Sequence, residues 1–167
     1  MTAGRLPLDP VEEARRQWVR HGWADAADGM AAVTSVMRAQ QILLARTDEV
    51  LRPFGLSFAR YEALMLLLFS RAGVLPMKTL AGRLQVHPTS VTNAIDRLEA
   101  AGLVRRRPHP DDGRALLVEL TEDGARAAHE ATEVLNARVF ADPGVPSRRV
   151  PTLVGVLRAL RKGAGDF

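Results

Sequence analysis

Thr89, Ser90, Thr92 and Asn93 fall within five positions of one another, and Arg97 follows about one helical turn later. Hydroxyls and carboxamides both donate and accept hydrogen bonds, and a guanidinium is a fixed fork of donors. Such a set suits base-pair edges in a major groove and the phosphates beside it. Further along stand Arg105, Arg106 and Arg107, and then Asp112 and Arg114. A guanidinium enters a narrow, electronegative minor groove, and a carboxylate two residues earlier can hold it by a charge-assisted pair. Either group taken alone is also what a solvated surface carries, and an exposed Asp–Arg pair contributes about 0–1 kcal/mol. The elements that carry the residues separate the two readings.

Val91, Ala94, Ile95 and Leu98 share one face of a helix that opens at His87-Pro88-Thr89-Ser90 and ends at Gly102. Proline at a first helical position costs nothing, because its missing N–H has no intrahelical partner there. The polar set then lies toward the sides and the opposite face. A shorter helix follows Pro76, with Leu80, Ala81 and Leu84 inward, and Gln85 and Val86 join the two as a helix-turn-helix. Leu103 and Val104 begin a strand that continues through Arg107. Pro108 to Gly113 breaks it, and Ala115 to Leu120 forms a second strand with Leu116, Val118 and Leu120 on one side. A hairpin beside such a helix is a wing, with Arg114 at its base.

Upstream, Leu6 to Pro10 reads as a turn-rich arm and Val11 to Gly22 as a short helix carrying Trp18. Trp23 to Leu51 forms a long helix ended by Pro53 and Gly55. Ser57 is expected to cap a helix whose Tyr61, Leu64, Met65 and Leu68 give a broad apolar face, the centre of the domain. Ser70 to Gly73 closes it.

Composition bounds the alternatives. With 167 residues, 47% hydrophobic and a net charge of +4, the chain supports one domain, with or without a dimerisation extension. It has no cysteine, which excludes disulfides, thiol nucleophiles, thiolate metal sites and thiol redox sensing. His21, His87, His109 and His129 are too far apart in sequence for a paired metal-ligand motif, so neither a metal nor a cofactor is expected. No nucleophile–base constellation marks an enzyme. The N-terminal segment is polar and Ala63 to Phe69 is only seven residues long, so a soluble, cytoplasmic protein without membrane contact is expected. The competing reading is a winged protein-interaction or structural module without specific DNA binding, which has no need of Arg114.

The ordered set Leu80-Ala81 with Leu84, Pro88-Thr89-Ser90-Val91-Thr92, Asp96-Arg97-Leu98-Glu99, Gly102-Leu103-Val104-Arg105, Asp112 with Arg114, and Val118-Glu119-Leu120-Thr121 with Gly124 resembles the MarR family of bacterial transcriptional regulators. The resemblance spans roughly Ala26 to Phe140. It implies a mainly α fold with a small β-wing, a winged helix-turn-helix with N- and C-terminal dimerisation helices. The corresponding parts are residues 1–22 as an N-terminal arm and short helix, 23–56 as a dimerisation helix and connection, 57–121 as the DNA-binding region and 122–167 as C-terminal dimerisation helices. Val150, Leu153, Val154, Leu157 and Leu160 form an apolar stripe in the last of these.

The resemblance further implies an obligate homodimer on pseudo-palindromic double-stranded DNA, with recognition helices about 34–36 Å apart in successive major grooves. Base reading falls to Thr89, Ser90, Thr92 and Asn93 behind Pro88, with Arg97 on phosphate or base. Wing contacts fall to Arg107, Asp112 and Arg114, and Arg60, Lys78 and Arg83 are expected on phosphates. A repressor released by a small aromatic or acidic effector is expected, with Met37, Arg38, Gln41, Tyr61 and Met65 around the effector; a bound acid paired with Arg38 would support that pocket. Two positions depart from the family pattern. Asn93 stands where a longer basic side chain is common, which suggests an A·T preference through adenine N6 and N7, and Gly113 replaces a second wing arginine.

Overall fold

Pro10 opens the first helix, α1 (Pro10–Arg20), at a position where its missing N–H is not required, and Asp9 accepts the Val11 N–H at 2.9 Å. A computed structural model describes residues 6–84, 88–110, 112 and 115–167, with residues 88 and 89 described by their backbone alone. The chain forms two compact units, one ending at Arg46 and the other beginning at Thr47. In the first, Gly22 turns the chain with φ of +85° into the long helix α2 (Ala24–Leu51), whose final turn belongs to the second unit. Arg15 reaches across to Asp28 at 2.6 Å, and Trp18 meets Trp23 edge to face at 5.3 Å. Further along α2, Val33, Met37 and Ile42 are 59–64% exposed.

The second unit is organised around α3 (Phe58–Leu68), whose Tyr61, Ala63, Leu64 and Leu67 are buried. The remaining elements in order are β1 (Val74–Pro76), α4 (Met77–Leu84), α5 (Pro88–Ala100), β2 (Val104–Pro108), β3 (Leu116–Leu120), α6 (Glu122–Leu135) and α7 (Val150–Gly163). A π-helical turn over Asn136–Phe140 extends α6, and a 3-10 turn over Ser147–Arg149 precedes α7. Around α3 pack Leu80 of α4, Val91, Ile95 and Leu98 of α5, Val104 and Val118 of the sheet, and Ala128 and Leu135 of α6, all at 2% exposure or less. Each large aliphatic side chain so buried contributes roughly 1.5–3 kcal/mol.

Four local expectations are corrected. Ser57 stands at the N-cap of α3, but its hydroxyl accepts from Arg60 Nε at 3.2 Å and caps no backbone N–H; Asp48 Oδ1 takes the Phe58 N–H at 2.7 Å instead. The sheet also has a third strand, β1, too short to show any periodicity. It pairs antiparallel with β3, giving the order β1-β3-β2. Because β3 is the middle strand and is covered on both faces at its centre, Leu117 and Val118 are both buried, whereas Leu116 is 46% exposed. Alternation along this strand therefore misplaces Leu116 and Leu117. Pro108 is the last residue of β2 rather than part of the turn.

The junction of sheet and α6 is tight. Thr121 caps α6 by accepting the Gly124 N–H at 3.0 Å, and its own hydroxyl donates to the Gly102 carbonyl at 2.8 Å, just past the end of α5. A Cβ on Gly124 would lie 2.0 Å from the Leu103 carbonyl oxygen, so only glycine fits there.

Candidate nucleic-acid interface

The helix-turn-helix consists of α4 and α5, and α5 is divided cleanly between two faces. Val91, Ala94, Ile95 and Leu98 are buried, whereas Ser90, Thr92, Asn93 and Arg97 are exposed. The split follows from the spacing: apolar residues recur three and four apart, so a single stripe closes onto α3 and the polar residues turn outward. The side chains of Pro88 and Thr89 lie outside the described residues, as do Gln85, Val86 and His87.

A polar cleft of about 290 Å³ opens between the start of α3 and α5, lined by Ser57, Arg60, Ser90, Asn93 and Arg97. Arg60, expected on phosphate, is thus brought beside three residues expected to read bases, although thirty positions separate it from Ser90. Lys78 is exposed on α4. Arg83, also expected on phosphate, lines a different cavity, together with Tyr61 and Met65 of the expected effector site. Met37, Arg38 and Gln41 are exposed on α2 in the first unit.

The wing strands are joined by charge as well as by their ladder. Arg105 lies directly opposite Glu119 in the register and donates to it at 2.9 and 3.1 Å, while Arg107 reaches the same carboxylate diagonally at 3.2 Å. These arginines hold Glu119 below the usual carboxylate range, chiefly through the Arg105 hydrogen bond. Near the hairpin tip, His109 and Asp112 bond across to Ala115 through their backbones at 3.0 and 2.9 Å, and Asp112 is exposed. Gly113 and Arg114 lie outside the described residues, and with them the expected Asp112–Arg114 pair.

Arg106, named above only for its charge, fastens the wing to α5. Arg106 donates to Asp96 at 2.5 Å and to Glu99 at 2.6 Å, and its backbone N–H donates to Glu99 at 2.8 Å. The signal was the pair of carboxylates three apart on α5 and the parity of Arg106 with buried Val104 on β2. Among the described residues no group of three His, Asp or Glu side chains is placed to hold a metal, and no helix is long and apolar enough to cross a membrane.

A model of the MarR family matches residues 57–116, the stretch from the start of α3 into β3. The chain is 49% identical to Sco5413, a MarR family transcriptional regulator from Streptomyces coelicolor, with 84% of this chain and 97% of that one covered and a TM-score of 0.77. The protein belongs to the MarR family. This is a family of transcriptional regulators rather than of enzymes, and its winged helix-turn-helix is the architecture seen in the second unit. This MarR-family chain is also 25% identical to Sco3205 of the same organism, whose structure is a complex with DNA; 82% of this chain and 88% of that one are covered, with a TM-score of 0.70. It is 34% identical over 82 residues to YhbI of Bacillus subtilis, an uncharacterized HTH-type transcriptional regulator. That match takes in 49% of the MarR-family chain and about half of its relative, 52%.

Proposed function

We propose that the protein is a homodimeric, sequence-specific regulator of transcription that inserts α5 into the major groove of double-stranded DNA and the β2–β3 wing into the minor groove. The observation that carries this reading is the division of α5. Its apolar half is spent on the core, Ser90, Thr92, Asn93 and Arg97 face outward, and Ser90, Asn93 and Arg97 line a cleft that also holds Arg60. Small polar groups flanked by two arginines match base edges flanked by phosphates. The DNA complex of the similar Sco3205 supports it.

The homodimer is supported by the apolar stripe of α7, where Leu153, Val154, Val156 and Leu160 are 42–63% exposed, and by the exposed apolar residues of α2. Two copies related by a two-fold axis require a pseudo-palindromic operator with half-sites about one helical turn apart. Repression follows when that operator overlaps a promoter, and release when a small molecule binds beside Tyr61 and Met65 and alters the spacing of the two reading helices.

The test is a footprint and a fluorescence-anisotropy titration on DNA flanking the protein's own gene. A protected imperfect palindrome is expected, with affinity falling steeply as salt rises and the log–log slope shrinking by about one for each phosphate contact removed by Arg60→Ala or Lys78→Ala. Salt-insensitive or sequence-blind binding overturns the reading.

A further inference from the structure

The cavity that holds Tyr61 and Met65 has a volume of about 360 Å³, within the range of small-molecule sites. Four aromatic side chains line it: Phe58 and Tyr61 on α3, Phe69 just past its end, and Phe140 in the π-helical turn. Phe58 and Tyr61 stand 6.2 Å apart between ring centroids, and Phe69 and Phe140 are 76% and 48% exposed. The hydroxyls in this wall are already engaged. Thr132 donates to the Ala128 carbonyl at 2.7 Å, which leaves its oxygen to receive the Tyr61 proton at 2.9 Å.

Glu62 is different. It lines the same cavity half-buried, with neither an ion-pair nor a hydrogen-bond partner among the described residues, and burial alone raises its carboxyl above the usual range. The other charged group in the lining, Arg83, is exposed on α4 and keeps its hydration.

We propose that this cavity binds a hydrophobic organic cation, an amine carrying an aryl or alkyl tail, with its ammonium group on the Glu62 carboxylate and its tail among Phe58, Tyr61, Phe69 and Phe140. Aromatic rings in the lining can meet a cation with their negative faces, and a half-buried carboxylate without a partner among the described residues supplies the directed charge-assisted hydrogen bond. An anion gains only a hydrated arginine at the edge and must enter beside Glu62. This assignment departs from the acidic effector that the family resemblance suggests. It rests on the ligand-responsive reading above only for its consequence on DNA, not for binding itself.

The experiment is a calorimetric titration of the full-length protein, without DNA, with three probes that share one tail: 4-phenylbutylammonium, 4-phenylbutanol and 4-phenylbutanoate. The ammonium is expected to bind most tightly. Glu62→Gln should weaken it about tenfold, the scale of one charge-assisted hydrogen bond, while Glu62→Asp retains part of the affinity and Arg83→Gln leaves it unchanged or improved. Circular dichroism confirms the fold of each variant, and Phe140→Ala, which removes a half-exposed ring, should weaken all three probes together. Tighter binding of the carboxylate, its loss in Arg83→Gln, ammonium affinity indifferent to Glu62→Gln, or no binding by any probe overturns the proposal. A separate anisotropy measurement with operator DNA keeps the two readings apart: loss of cation binding leaves DNA reading intact, and absence of DNA binding leaves the cation site intact.

Discussion

α5 and α7 are amphipathic helices of nearly equal length, thirteen and fourteen residues, and they end in opposite situations. In α5 the side chains of Val91, Ile95 and Leu98 are at most 1% exposed, whereas in α7 those of Leu153, Val154, Val156 and Leu160 are at least 42% exposed. Amphipathicity alone therefore says that a helix will have two kinds of neighbour and not where the apolar one comes from. For α5 the chain supplies it, and the polar face is left exposed, open to the DNA contact proposed above. For α7 no buried residue is found in the helix, and the apolar face is the one left to act.

The comparison is sharpened most by truncating each helix in turn. Leu98→Ala should lower the unfolding free energy by about 2–5 kcal/mol, because it empties a filled core position, and urea titration measures it. Leu160→Ala, by contrast, should change the stability of a dilute monomer by less than about 0.5 kcal/mol; an equal loss in the two variants would erase the distinction. Val154→Asp with Leu160→Asp should weaken self-association by about 2 kcal/mol or more, the scale of central interface residues, and light scattering after size exclusion would show the shift to monomer. A dimer undisturbed by both charges would mean that α7 is not its seam.

Asn93→Ala probes the other face. A loss of about 1–3 kcal/mol in discrimination at one A·T step is expected, with thermal unfolding unchanged, and base preference identical to that of the parent protein would remove Asn93 from the reading set. The smallest effect concerns pH. Since the paired Glu119 binds its proton less readily in the folded hairpin than in the unfolded chain, its contribution is present at neutral pH, above the unfolded value. It is lost as pH falls through the lowered value. Glu119→Gln should remove that part of the acid limb of stability and leave the α7 association untouched.

The ends of α5 were legible because single residues dictate them: Pro88 at its start and Gly102, at φ of +73°, after its end. The core face of α5 was legible because its period is local. Other features depend on partners far along the chain. β1 is three residues long and exists through its pairing with β3. Ser57 makes no hydroxyl cap, and the first N–H of α3, that of Phe58, goes to Asp48 because the turn between α2 and α3 brings that carboxylate within 2.7 Å. The meeting of Glu62 with Phe140 in one cavity unites residues seventy-eight positions apart, beyond any local pattern.

The junction at Thr121 and Gly124 has a mechanical consequence. One hydroxyl ties the residue after α5 to the first turn of α6, and the backbones there approach too closely to admit a methyl group. A coupling of that kind has almost no play. A tilt of α6 that left the segment after α5 in place would stretch the Thr121 bond to Gly102 or press Gly124 against the Leu103 carbonyl. The residue after α5 and the first turn of α6 thus form one joint, and Thr132 in the cavity wall lies further along the same helix.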